Sequence, residues 1–162
     1  MAKEVESKKG RNIVIAIDGS DHAKYAYQWY LDNIRIEDDH VYLVHAVEMH
    51  DIAMSHFSSP FSFDPGVFAT MLEQEKEKVS KDLQLYVKLL TETGVAGTVK
   101  SIHATSPGEG IIKAAKDVEA SLIISGCQGL STIHRTLIGS NSDYILHHSQ
   151  VPVIVCRKSP HH

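Results

Sequence analysis

Hydrophobic positions along the chain switch between the period of a buried strand and that of a helix. Asn12 to Ile17 (NIVIAI) is a continuous apolar, β-branched run, which predicts a strand covered on both faces. Asp18-Gly19-Ser20 ends it, and Ala23, Ala26, Tyr27, Tyr30, Leu31 and Ile34 follow at helical spacing. His40 to Val47 (HVYLVHAV) predicts a second buried strand. Glu48 to Asp64 has no periodicity and reads as a long loop, a length that usually serves function or mobility.

Asp64-Pro65 predicts a helix start, with Asp as cap and Pro at the first helical position. Phe68, Met71, Leu72, Val79, Leu83, Tyr86, Val87 and Leu90 form its stripe, and Gly94 stops it. Thr98 to Ala104 is a short strand. Ser106 and Glu109 then make a capping box for a helix with Ile111, Ile112, Ala115 and Val118 on its apolar face. Leu122 to Ser125 and Val151 to Cys156 are the last strands, with a short helix over Ser140 to His148 between them. This βαβαβαβαβ order predicts an α/β fold, a Rossmann-like doubly wound sheet of five mainly parallel strands with helices on both faces.

With 162 residues, one domain is expected, spanning 11–158 between a charged N-terminal segment (1–10) and a short tail (159–162). His161 and His162 match the stub of a purification tag and receive no functional weight. Sixteen Lys+Arg against 20 Asp+Glu leave a net charge of −4, which offers no general attraction to nucleic acid. No apolar run reaches the ~18 residues of a membrane span, and Met1 to Gly10 lacks the apolar core of a signal peptide. Two cysteines, Cys127 and Cys156, are too few for a disulfide framework and fit a reducing compartment, although one bridge stays open at this point. A cytoplasmic protein is expected.

In such a sheet, ligands bind beyond the carboxyl ends of the strands, where the strand order reverses. That singles out Asp18, the end of the second strand, and the segment Gly126-Cys127-Gln128-Gly129, followed after nine residues by Gly139-Ser140-Asn141-Ser142. Glycines let backbone amides approach a ligand, and a helix opening at Gly139-Ser140 favours an anion at its free N–H groups. Together the two elements would cradle a polyphosphate. Spacing alone leaves a second reading open, in which the glycines are turn residues and Ser140 is a helix cap.

Other motifs are incomplete. No Gly-Lys pair exists for a Walker A loop, no Gly-x-Ser-x-Gly elbow is present, and Gly108-Glu109-Gly110 continues to lysine at 113 rather than glycine. Among eleven histidines, His147 and His148 project about 100° apart on a helix and cannot readily share an ion. His45 reads as a hydrogen-bonded core residue, His50 and His56 as at most a weak metal site, and no spacing supports structural zinc. His134-Arg135 is within reach of a bound phosphate, or is a solvated pair. Cys127 is either a reactive thiol beside the cradle or a buried inert one.

The pattern Gly-x2-Gly-x9-Gly-Ser between the last two strands resembles the ATP-binding motif of the universal stress protein family. The resemblance runs from Asn12 to Arg157 through IAIDGS, LVHAVE, TSPGEGI, LIISGCQGLS and GSNSDYILHHSQVPVIV. It implies that Asp18 bonds a ribose and that the backbone of Ala46 meets an adenine. By the same resemblance Gly126, Gly129, Gly139 and Ser140 hold ribose and phosphates, with Gln128 and Asn141 lining the same loops. The implied ligands are ATP, ADP or AMP, with Mg²⁺ carried by the phosphates. Where Cys127, Gln128 and Asn141 stand, the family often has Ser, Arg or His, and an aliphatic residue, so the fine phosphate contacts differ. The implied role is a nucleotide-binding stress regulator or sensor, built as a homodimer through the edge strand Val151–Cys156. Two rivals are a slow ATPase, for which no residue is an obvious base, and an interaction module whose nucleotide is incidental.

Overall fold

The computed structural model describes residues 10–48, 65–127 and 139–158. Five parallel strands form one sheet: β1 (Asn12–Ile17), β2 (His40–Glu48), β3 (Gly97–Ala104), β4 (Leu122–Cys127) and β5 (Val153–Arg157), in the order β3-β2-β1-β4-β5. Helices α1 (Asp21–Asn33), α2 (Pro65–Thr93), α3 (Pro107–Asp117) and α4 (Ser140–His148) alternate with them. The expected α/β sheet is therefore present, with β1 at its centre.

Strand periodicity divides the core into two layers. Ile13 and Ile15 of β1 face a layer with Ala23, Ala26, Tyr27 and Tyr30 of α1 and Tyr86 and Leu90 of α2. Val14 faces the opposite layer with Ile111, Ala114 and Ala115 of α3 and Ile145 of α4. Both faces of β1 are thus covered, which is why its sequence is apolar from Ile13 to Ile17.

Local signals set the helix ends. Ser20 accepts from the Ala23 amide at 3.2 Å and Ser106 from the Glu109 amide at 3.3 Å, so both serines cap their helices. Gly94 takes φ +62 after α2, a left-handed stop, and Arg35 donates to the carbonyls of Thr93 and Gly94 at 3.3 and 3.0 Å. The Asp64 cap expected for α2 lies outside the described residues, as do residues 49–63 of the long loop.

Five strand bounds differ from expectation, two of them by one added residue at the end: β2 runs to Glu48 and β5 to Arg157. β3 begins one residue early, at Gly97. β4 runs on through Gly126 and Cys127, because these still pair with Cys156 and Arg157 of β5. β5 starts at Val153 rather than Val151, because Ser149 takes both polar groups of Val151: its hydroxyl accepts from that amide at 3.1 Å and donates to that carbonyl at 2.7 Å. Pro152, lacking an N–H, lends the ladder only its carbonyl, which accepts from Ile123 at 3.0 Å.

Candidate functional site

The chain winds from β1 out to β3 and then crosses back to β4 and β5, so the order reverses between β1 and β4. Beyond the carboxyl ends of these two strands lies a cavity of about 220 Å³. Its walls include Asp18 and Ser20 after β1, Ala46 of β2, Pro107 and Ile111 of α3, Gly126 and Cys127 of β4, and Gly139, Ser140 and Asn141 at the start of α4. Six of the eight residues singled out from the sequence (Asp18, Ala46, Gly126, Gly139, Ser140 and Asn141) therefore share one crevice. The other two, Gln128 and Gly129, lie outside the described residues, and so do His50, His56, His134 and Arg135.

Three helices begin at this crevice, and they differ in one respect. α1 and α3 carry the serine caps just described, whereas Gly139 at the start of α4 makes no side-chain cap bond. Ser140, Asn141 and Ser142 of the α4 first turn line the cavity, at the positive end of the helix dipole. A Cβ on Gly139 would meet nothing within 4 Å. Gly126 is the opposite case: a Cβ there would run into the backbone of His22 and Ala23, 2.6 Å from the His22 carbonyl carbon. Glycine at 126 thus serves the packing of α1 on β4, while Gly139 opens onto free space.

Asp18 is exposed, and its Oδ1 accepts from the Ser20 amide at 2.9 Å. Its second oxygen has no hydrogen-bond partner among the described residues and is available to a donor in the cavity. On the other side, Ser125 and Ser142 are 4% and 3% exposed and their hydroxyls lie 3.0 Å apart. Ser142 also reaches the Gly126 carbonyl at 3.4 Å, tying β4 to the first turn of α4. Sequence reasoning missed this pair; the signal was Ser142 two residues after Ser140, but its partner on a different element could not be read locally. The Cys127 sulfur is 1% exposed and accepts from the Gly139 amide at 3.4 Å.

Ala16, Ala46, Pro107 and Ile111 give the cavity an apolar side, and the α4 start gives it a side rich in N–H donors. This arrangement can hold a flat apolar group at one end and an anion at the other. No group of three or more His, Cys, Asp or Glu side chains able to hold a metal is found among the described residues. No helix among them is long and apolar enough to cross a membrane.

Residues 10–157 match the model of the universal stress protein family. A Staphylococcus epidermidis protein carrying that family name is 31% identical over 149 residues, covering 91% of this chain and 84% of its own. Among solved structures, a universal stress protein family member from Arabidopsis thaliana with AMP bound superposes with a TM-score of 0.67 at 20% identity, covering 93% of each chain. The universal stress protein of Archaeoglobus fulgidus in complex with dAMP gives a TM-score of 0.61 at 19% identity, covering 91% of this chain and 98% of its own.

Proposed function

Because the chain belongs to the universal stress protein family, we propose that the crevice between β1 and β4 binds an adenine nucleotide and that the protein acts as a nucleotide-dependent regulator. The observation that carries this reading is the gathering of Asp18, Ala46 and the uncapped α4 start in one cavity with an apolar side and an N–H-rich side. The AMP and dAMP held by two structural neighbours agree with it.

In this reading the free oxygen of Asp18 accepts from the ribose hydroxyls, as a carboxylate does well. The adenine rests against Ala46, Pro107 and Ile111. The phosphates meet the N–H groups of Ser140 and Asn141, where helix dipole and open space favour them. Gly126 lines the same crevice, and Gln128 and Gly129 are proposed to add phosphate contacts, as the family motif implies. ATP would bring Mg²⁺ with its phosphates, since the metal prefers phosphate oxygens and water to an all-protein cage. Asp18 is committed to the ribose and leaves no base for an attacking water, so hydrolysis falls below about 1 s⁻¹, the low end of typical enzymes. Output then passes through a partner, including a second copy joined at the exposed edge of β5.

Calorimetric titration of AMP and of ATP–Mg²⁺ into nucleotide-stripped protein tests the reading. Micromolar binding is expected, weakened about tenfold or more in Asp18→Ala, the effect of losing hydrogen bonds to a charged group. Wild-type protein that binds neither nucleotide, or a variant that binds as wild type does, overturns it. Light scattering at tens of micromolar tests the dimer, and a monomer there removes it.

A further inference from the structure

The turn that carries Asp18 is held from its far side by a residue of a different helix. Tyr86 of α2 is 4% exposed, its ring packed in the layer with Leu90, Tyr27 and Ile15. Its hydroxyl accepts from the Gly19 amide at 3.2 Å. Gly19 has φ +80, a conformation that gives the backbone little steric reason to stay where it is without an anchor. One residue later, the Ser20 amide is taken by the Asp18 carboxylate itself at 2.9 Å. Two successive amides of the turn are therefore fixed, one by Tyr86 and one by Asp18, and between them they set the direction of the remaining Asp18 oxygen.

The turn is also thin. Asp18 and Ser20 line the cavity described above, whereas Gly19 and Asp21 line a second cavity of about 650 Å³ between α1 and α2, with Tyr86, Asp82 and Leu85. The Tyr86 hydroxyl supports the turn from that outer side. Burial, with Asp18 and Asp82 nearby, pushes the phenol up to about 12 despite the Gly19 hydrogen bond, so it stays neutral at any physiological pH and keeps its place as acceptor.

We propose that Tyr86 is a positioning residue for ribose recognition: it holds the Gly19 peptide so that Asp18 presents one oxygen to the nucleotide cavity. The inference rests on the proposed adenine-nucleotide site and adds to it a control point on α2, on the far side of the Asp18 turn. It makes the nucleotide's sugar, rather than its base or phosphates, the part that senses α2.

Tyr86→Phe keeps the ring and deletes the hydroxyl. Binding of AMP and of 2′,3′-dideoxy-AMP is compared in wild type, Tyr86→Phe, Asp18→Ala and the double variant, with thermal melting of each. Wild type is expected to favour AMP about tenfold or more. Tyr86→Phe should lose roughly three- to tenfold in AMP affinity, the range of one net hydrogen bond, with no change for the dideoxy ligand. In the Asp18→Ala background it should change neither. A variant that keeps the full preference, or weakens both ligands equally, overturns the positioning role while leaving the nucleotide site standing. Wild-type protein that binds neither ligand overturns the site and this role with it. Amide exchange of Gly19 without nucleotide checks the bond itself: unchanged protection in Tyr86→Phe also overturns the inference.

Discussion

The His22 carbonyl of α1 lies against the α-carbon of Gly126 on β4, leaving no room for a side chain between them. Gly126→Ala must push α1 off the sheet next to the cavity. Overpacking of this kind costs about 1–3 kcal/mol, and at roughly 2–4 °C per kcal/mol the melting temperature should fall by several degrees. Thermal unfolding monitored by circular dichroism checks it, and a variant that melts with wild type would mean that α1 shifts freely.

Gly139→Ala separates folding from binding. Its Cβ would enter open space and its φ of −57 suits any residue. Replacing an N-cap glycine by alanine should cost at most about 1 kcal/mol. Nucleotide affinity should nevertheless drop severalfold, because the new methyl occupies the approach to the α4 amides. Calorimetry and melting on the same sample test this, and equal AMP affinity would remove the phosphate from this helix start.

The ion pair of Arg11 with Asp39 gives the fold a pH dependence of known sign. Asp39 is 4% exposed and accepts from Arg11 at 2.7 and 2.8 Å, from Tyr30 at 2.8 Å and from the Ile36 amide at 3.1 Å. Burial alone would push its carboxyl up, but these donors outweigh it and hold the carboxyl below the usual carboxylate range. The stabilisation is therefore complete above the unfolded value of about 3.9 and is lost as pH falls through the lower folded value. Arg11→Met should cost about 2–3 kcal/mol at pH 7, less than a fully enclosed pair because the Arg11 side chain is 34% exposed. Without the Arg11 donors the Asp39 carboxyl rises relative to wild type, so the deficit should shrink as pH falls. Urea unfolding at pH 7 and pH 4.5 reads both effects.

Cys127 and Cys156 sit on neighbouring strands but on opposite faces of the sheet, since Cys156 pairs in register with Gly126. An intramolecular disulfide is excluded by that geometry. Burial also pushes the Cys156 thiol up to about 11, and Cys127 is enclosed to 1% exposure. Both thiols should react with a maleimide only on unfolding. Fast labelling of native protein, followed by mass spectrometry, would show that one of them opens.

The parts of the fold that local chemistry dictates were legible in the chain. NIVIAI announces a strand buried on both sides, Ser20 and Ser106 announce helix starts, and Gly94 announces a stop. Asp18 and Gly139 could be brought together from sequence because the alternation of strands and helices fixes which ends point the same way. Pairings across the sheet were not legible. Nothing near Tyr86 points to Gly19, nothing near Arg11 points to Asp39, and Ser125 gives no hint of Ser142, because each bond joins elements whose distance in space is set only by the whole sheet. The start of β5 was misplaced for a smaller reason: Ser149 competes with the ladder for Val151.

The central place of β1 has a bearing on how the chain is made. This strand is made before β4, yet one of its edges waits for β4, whose Leu122 lies opposite Ile13. Asn12 likewise donates to the Val118 carbonyl across 106 positions of sequence. While the intervening chain is synthesised, β1 can be paired by β2 and covered by α1, but its other edge, with Ile13, Val14 and Ile15, stays open. A strand buried on both faces in the finished protein thus keeps one edge open until β4 has been made, and an edge of this kind is what a nascent-chain chaperone would hold.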